Sequence, residues 1–314
     1  MSMVFNYYAF GTSNIDDILY NLKDKLSEND WTIDYDKISS EGKLAIHIPD
    51  TECYYTISKS PNYQDPSGNN HFLPYTVSAN RAVDTDTWWN PTLSYSNFGE
   101  TYFVVTNSYG LINSKMCVLI LEGYTETLPD YPYCSYYIFG QLEIPNENLQ
   151  GNYLFITPIR QDSSNSSFGL YIGRAMKVYY QNTACSPADI EGNDHYLYGL
   201  IYQYYSTHDK YYPADNITSD YDVTNKLPGL PAQPYQFGRL YLRTLIVYHK
   251  YEQDSTTYIH PIGETPFYLC KYRGTEWYNK TLTYNTRKFK VYPLAGKGIN
   301  YESEYGIAFE VGNL

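Results

Sequence analysis

The sequence predicts a mainly β protein with α+β character at its N-terminus. A short amphipathic helix on a small sheet is followed by antiparallel, β-sandwich-like sheets with long loops. Three observations carry this expectation. Short runs of alternating or apolar residues recur between clusters of Pro, Gly, Asn and Asp, the pattern of many short strands. Only one segment has helical periodicity. Aromatic side chains make up 18% of the 314 residues, with 40 Tyr against 12 Phe and 4 Trp. Tyr joins a large apolar ring to a hydroxyl that seeks a partner, which suits half-buried sheets and polar protein surfaces.

The helix comes first. Ser13 is the expected N-cap, with Asp16 and Asp17 in the first turn where the helix dipole favours them. Ile15, Ile18, Leu19, Leu22 and Leu26 then recur at helical spacing and form one apolar stripe. "WTIDYDKI" follows as a strand with Trp31, Ile33 and Tyr35 on one face. "KLAIHIPD" alternates through Leu44, Ile46 and Ile48, which leaves His47 on the opposite, exposed face. Residues 1–60 are thus expected to be a helix plus a small antiparallel sheet, packed on the rest.

Residues 61–314 are expected to be a β-rich body. The Pro/Gly/Asn-rich stretch at 60–71 marks its start. Strands are expected at 102–107, 116–124, 134–144, 153–159, 175–181, 196–205, 238–249, 266–272, 288–293 and 306–311. A long loop near 207–235, with four prolines, reads as a surface excursion. Gly140 interrupts the strand "CSYYIFGQLEI". A strand glycine marks a bulge or a close approach, and it is taken here as a structural glycine that bends or twists the strand.

Charge and cysteine usage narrow the function classes. The net charge of −12 arises from 22 Lys and Arg against 34 Asp and Glu, with no basic run. A nucleic-acid binder needs a basic stripe, and an anionic membrane surface attracts cations, so neither partner is expected. The five cysteines are scattered without a CxxC, which predicts small buried hydrophobes rather than disulfides or a zinc knuckle. The first residues, "MSMVFNYYAF", lack a basic and then apolar leader, so synthesis in the cytoplasm is expected.

No catalytic pattern is present. The six histidines have no metal-ligand spacing. "GKGINY" (296–301) lacks the spacing of a phosphate loop, and "NITSDYDVTN" (216–225) lacks the spacing of an EF-hand. Asp84 with Asp86 and Glu302 with Glu304 form same-face pairs, but a glycosidase needs one desolvated carboxyl of two flanking a sugar. No metal or cofactor is expected, and the chain is expected not to be an enzyme. The aromatics carry more weight: Trp88 and Trp89, beside a Pro, and Tyr211 and Tyr212, at a loop, are candidates for a protein interface or for stacking on glycans.

Three blocks of residues resemble the structural proteins of tailed-bacteriophage virions. The opening "IDDILYNLKDKLSENDWTI" (15–33) is similar to the family's helix and Trp-containing strand, with Asp30 where Gly is usual. The centre, "YFVVTNSYG" (102–110), "MCVLILEGY" (116–124) and "YYIFGQLEIPNENLQGNYLF" (136–155), looks like its hydrophobic strands and aromatic-Gly motif. Gly151 and Asn152 stand where the family has two glycines. The block "KVYPLAGKGINYESEYGIAFEV" (290–311) is similar to its closing strand pair. The resemblance implies a subunit made in the host cytoplasm and built into the tail, baseplate or neck. It implies assembly with other virion proteins and with copies of itself, and it carries over no catalytic residues. The other readings are a receptor- or carbohydrate-binding tail-tip module using Trp88, Trp89, Tyr211 and Tyr212, and a polysaccharide hydrolase using Glu302 or Asp86.

Overall fold

A computed structural model describes residues 4–50, 54–59, 63–64, 70–71, 75–80, 103–125, 128–141, 153–156, 197–199, 202–205, 210–213, 241–253, 256–271, 280–284, 286–293 and 305–314. The first elements in chain order are β1 (Asn6–Ala9), α1 (Ile15–Glu28), β2 (Thr32–Lys37), α2 (Ile38–Glu41), β3 (Lys43–His47) and β4 (Tyr54–Lys59). Next come β5 (Tyr63–Gln64), β6 (Asn70–His71), β7 (Tyr75–Asn80), β8 (Phe103–Ile112), β9 (Met116–Thr125), β10 (Leu128–Gln141) and β11 (Tyr153–Ile156). The remainder are β12 (Leu197–Gly199), β13 (Tyr202–Tyr205), β14 (Lys210–Pro213), β15 (Tyr241–Gln253), β16 (Thr256–Lys271), β17 (Lys280–Tyr284), β18 (Arg287–Pro293) and β19 (Tyr305–Val311). The fold is mainly β with a small helical part, in antiparallel sheets.

α1 forms where its stripe predicts, and Ile18, Leu19, Leu22 and Leu26 are buried. Its cap is one residue later than expected. Asn14, not Ser13, is the N-cap, and its side chain accepts from the Asp16 and Asp17 N–H groups at 2.9 and 3.2 Å. The helix ends in a Schellman turn: Trp31 N–H reaches the Leu26 carbonyl and Asp30 N–H the Ser27 carbonyl. That turn requires a left-handed residue, and Asp30 takes it with φ of 68°. The position where the resemblance expects glycine is one where the backbone favours glycine.

Three sheets make the body. β2-β3-β4-β7 form a four-stranded sheet, β1-β8-β9-β10-β11 a five-stranded one, and β12-β15-β16-β19-β18-β17 a six-stranded one. The four-stranded sheet takes its last strand from beyond residue 60, and β1 pairs with β8 of the five-stranded sheet. β14 lies inside the stretch expected as a loop, paired with β13. The strand expected at 175–181 falls outside the described residues.

The five-stranded sheet is central and buried on both faces, which explains why "MCVLIL" and "YYIF" read as continuous apolar runs. Along β9, Cys117, Leu119 and Leu121 join Tyr137 and Phe139 of β10 in one core with α1 and the four-stranded sheet. Met116, Val118 and Ile120, equally buried, take the opposite face by strand alternation. On that side Tyr109 and Tyr136 meet Tyr292 of β18, with ring centroids 6.0 and 6.5 Å apart. The chain ends tie the layers together: Phe5 forms a parallel bridge with Val311, and Asn313 bonds the Tyr7 backbone through both its side-chain groups.

Candidate functional site

Gly140 lies inside β10, opposite Met116 of β9 and Leu154 of β11. Its φ is +144°, and a Cβ there would stand 2.3 Å from the Lys115 carbonyl oxygen and 2.6 Å from the Met116 Cα. The register runs unbroken through it, and the irregularity of β10 sits between Leu128 and Tyr133. Glycine is therefore required by the close approach of β9, not by a bulge. Gln141 N–H donates to the same Lys115 carbonyl at 2.7 Å, and the buried Tyr55 hydroxyl donates to the Gly140 carbonyl at 3.0 Å.

The Tyr excess is spent partly on such clamps. Tyr75 donates to the Ile15 carbonyl of α1, and its N–H donates to the Tyr137 hydroxyl at 3.2 Å. Trp31 packs edge-on against Phe139 with centroids 5.8 Å apart, while its Nε1–H donates to the Asn113 carbonyl. Each ring fills the core and each polar tip fastens a neighbouring element.

Of the residues singled out from the sequence, Trp88 and Trp89 lie outside the described residues, as do Asp84, Asp86, Glu302, Glu304 and the segments 216–225 and 296–301. Tyr211 and Tyr212 lie in β14, in register with Tyr204 and Gln203. That ribbon and the sheet that holds Gly140 are separate. His47 is half-buried rather than exposed, with Nδ1 2.9 Å from Asp34 across the β2–β3 pair. Among the described residues, no group of three His, Cys, Asp or Glu is placed to hold a metal.

Sequence reasoning missed a desolvated carboxyl. Glu122 of β9 is only 9% exposed, and its Oε2 accepts from the Tyr109 hydroxyl at 2.8 Å and from Asn107 Nδ2 at 3.2 Å. Oε1, also buried, has no hydrogen-bond partner among the described residues. Burial pushes the carboxyl above the usual carboxylate range, against the two hydrogen bonds that favour its charged form. Tyr109 stacks on Tyr7, and the Lys290 ammonium lies 4.2 Å from the Tyr7 ring centroid. Burial pushes the Lys290 ammonium down. The seam between sheets thus holds a carboxyl whose protonated form burial favours. Its sequence signal was one Glu closing an apolar run.

The second feature missed is an edge. β17, "KTLTY", ends the six-stranded sheet and pairs with β18 from Lys280↔Val291 to Tyr284↔Arg287. Thr281, Thr283 and Tyr284 are exposed, Tyr284 by 46%. Beneath it, Arg287 forks onto Glu310 and donates to the Tyr268 hydroxyl at 2.8 Å, which fixes the hairpin. Among the described residues no strand pairs with the other side of β17, and a strand in that position can accept a strand from another chain. No protein-family model matches the sequence, and no curated protein matches it.

Proposed function

We propose that the chain is a structural subunit of a tailed-bacteriophage virion, in the tail, baseplate or neck. It acts by protein–protein assembly and not by catalysis, with other virion proteins and copies of itself as partners. The observation that carries this reading is the place of β17 at the end of the six-stranded sheet, with no further strand beside it among the described residues, above the Arg287, Glu310 and Tyr268 cluster. A rigid sheet that presents an edge is suited to strand addition, in which main-chain hydrogen bonds join subunits. The resemblance supports the same reading, because α1, β8 to β10, β18 and β19 supply most of the described core.

The test is direct. Particles purified by density and size are digested and analysed by mass spectrometry. The chain is expected at a stoichiometric copy number relative to known structural proteins. Its absence from intact particles overturns the reading. Glycan binding that vanishes in Trp88→Ala points instead to a tail-tip receptor module.

A further inference from the structure

β1 fills a slot one strand wide. On one side it pairs antiparallel with β8 over four residues, and Phe10 N–H continues that ladder to the Ser108 carbonyl. The other side is the end of β19, which pairs with β16 from Tyr305 to Ala308 and with β18 as far as Val311. Beyond Ala308, Phe5 takes the edge that faced β16. Its N–H donates to the Glu310 carbonyl at 2.8 Å, and its carbonyl accepts from Gly312 N–H at 3.0 Å. Asn313 then stands in for a strand. Its Oδ1 accepts from Tyr7 N–H at 2.8 Å, and its Nδ2 donates to the Tyr7 carbonyl at 2.9 Å. Asn29, at the end of α1, donates to the Tyr8 hydroxyl and accepts from Asn6 Nδ2, both at 2.8 Å. The apolar anchor is Phe5, fully buried and edge-on to Phe309. Asn6, Tyr7 and Tyr8 are half-buried, and Ala9 is exposed. Main-chain bonds with one buried anchor are the terms on which a sheet accepts an added strand.

From this we infer that the slot is a strand-exchange site, and that residues 5–9 of a second copy of this chain occupy it in an assembly. A neighbour's segment makes the same slot contacts as the chain's own, so exchange empties one slot and fills another alike. The two forms therefore differ in the hinge and in the local concentration of copies. The hinge is residues 10–14, with an exposed Gly11 at φ of 66° and nothing within 4 Å of its Cβ position. Extended, such a segment reaches at most about 17 Å. Exchange thus links immediate neighbours. Asn313 is the latch. It and Leu314 are exposed, and beyond it the Lys288 ammonium donates to the Leu314 carbonyl. Its two bonds break before β1 leaves, and the slot of a second copy offers them again. Asn313 therefore governs the rate of exchange rather than its extent. Between free chains the tethered segment competes at an effective concentration on the order of millimolar. Exchange therefore dominates where an assembly holds copies side by side, and in that respect it rests on the assembly reading.

Val4 and Gly312 meet across the slot, where a Cβ on Gly312 would lie 3.1 Å from Val4 Cγ1. Both are exposed, so cysteines there are expected to leave the fold intact. Full-length Val4→Cys chains and isotope-labelled Gly312→Cys chains are mixed in equal amounts at up to about 1 mM, the tethered concentration, and oxidised mildly. Each variant alone and the parent chain are treated alongside. The double variant, dilute, is expected to cross-link within one chain, which shows that the two thiols meet. The mixture is expected to give a bond between position 4 of one chain and position 312 of the other, placed by mass spectrometry and rising with concentration. Asn313→Ala in both chains is expected to speed its appearance roughly tenfold, the effect of losing two exposed hydrogen bonds. A double variant that cross-links within one chain, beside a mixture that never cross-links between chains, overturns the exchange. So does a double variant that forms no bond, because the slot contact is then absent. An unchanged rate in Asn313→Ala removes the latch. The two readings fail separately. Exchange with no chain in particles keeps the slot and removes the virion, and the chain in particles with no exchange does the reverse.

Discussion

The two faces of the central sheet are both buried, yet they are held by different chemistry. Towards α1 and the four-stranded sheet, Phe139, Tyr137, Tyr55, Tyr75 and Trp31 form an aromatic core whose polar tips end largely on backbone groups. Towards the six-stranded sheet, the aromatic contacts of Tyr109, Tyr136, Tyr292 and Phe309 share their layer with Glu122 and Lys290. Neutral tips on backbone carbonyls carry no charge that depends on pH near neutrality, whereas the Glu122 carboxyl does titrate and burial raises its pKa. The first face is therefore expected to supply stability that is independent of pH, and the second to make stability depend on it.

That contrast is open to attack at four points. The largest effect is expected at Gly140, which sits where the first face meets the β9 backbone. Gly140→Val places a side chain in a space that its first carbon already overfills, and a loss on the order of 5 kcal/mol is expected. Urea unfolding or recovery of soluble protein checks it; an unchanged midpoint removes the close approach as the reason for the glycine. Next comes Phe139→Ala, which opens a cavity in the aromatic core and is expected to cost about 3–5 kcal/mol, equally at pH 5 and pH 8.

The third point belongs to the opposite face. The folded chain holds the Glu122 proton more tightly than the unfolded chain does, because burial raises its pKa above the ordinary value of 4.5. Stability contributed by that group is present below the ordinary value and is lost as pH rises towards the raised one. Glu122→Gln is expected to flatten this decline, so that variant and parent differ more at pH 7 than at pH 4. Denaturation midpoints across that range decide it, and parallel curves would place the pH dependence elsewhere. The smallest effect is a gain. Asp30→Gly relieves a left-handed residue at the end of α1 and is expected to add about 0.5–1 kcal/mol by thermal unfolding.

Much of this architecture was legible in the sequence, and the gaps have physical causes. α1 was legible because four buried residues fall on one helical stripe. Its cap was misplaced by one residue, since Ser13 and Asn14 are both good caps and only the chain's entry path selects Asn14. β8, β9 and β10 were legible as apolar runs because neighbours cover both their faces. β17 was not, since "KTLTY" has no apolar face of its own and is held as a strand by β18. β14 was hidden in a Pro-rich stretch. Of the candidate site residues, Gly140 announced a special backbone position without saying which kind. Glu122 was missed because desolvation is a property of what covers a residue, and its hydrogen-bond partners Asn107 and Tyr109 reach it from a paired strand rather than from its own.

The meeting of Phe5 with Val311 has a consequence for how the protein is made. β19 follows β16 and β18 in sequence, yet it lies between them, and the Asn313 side chain bonds Tyr7 across a separation of 306 residues. Pairings so distant in sequence slow folding, because the entropy of closing the loop is lost before the contact returns any stability. The six-stranded sheet waits for residues 305–311 to leave the ribosome, and β17 hangs on a sheet that is unfinished until then. A nascent chain therefore completes that sheet only after residues 305–311, far along the sequence from β15 and β16, have been made.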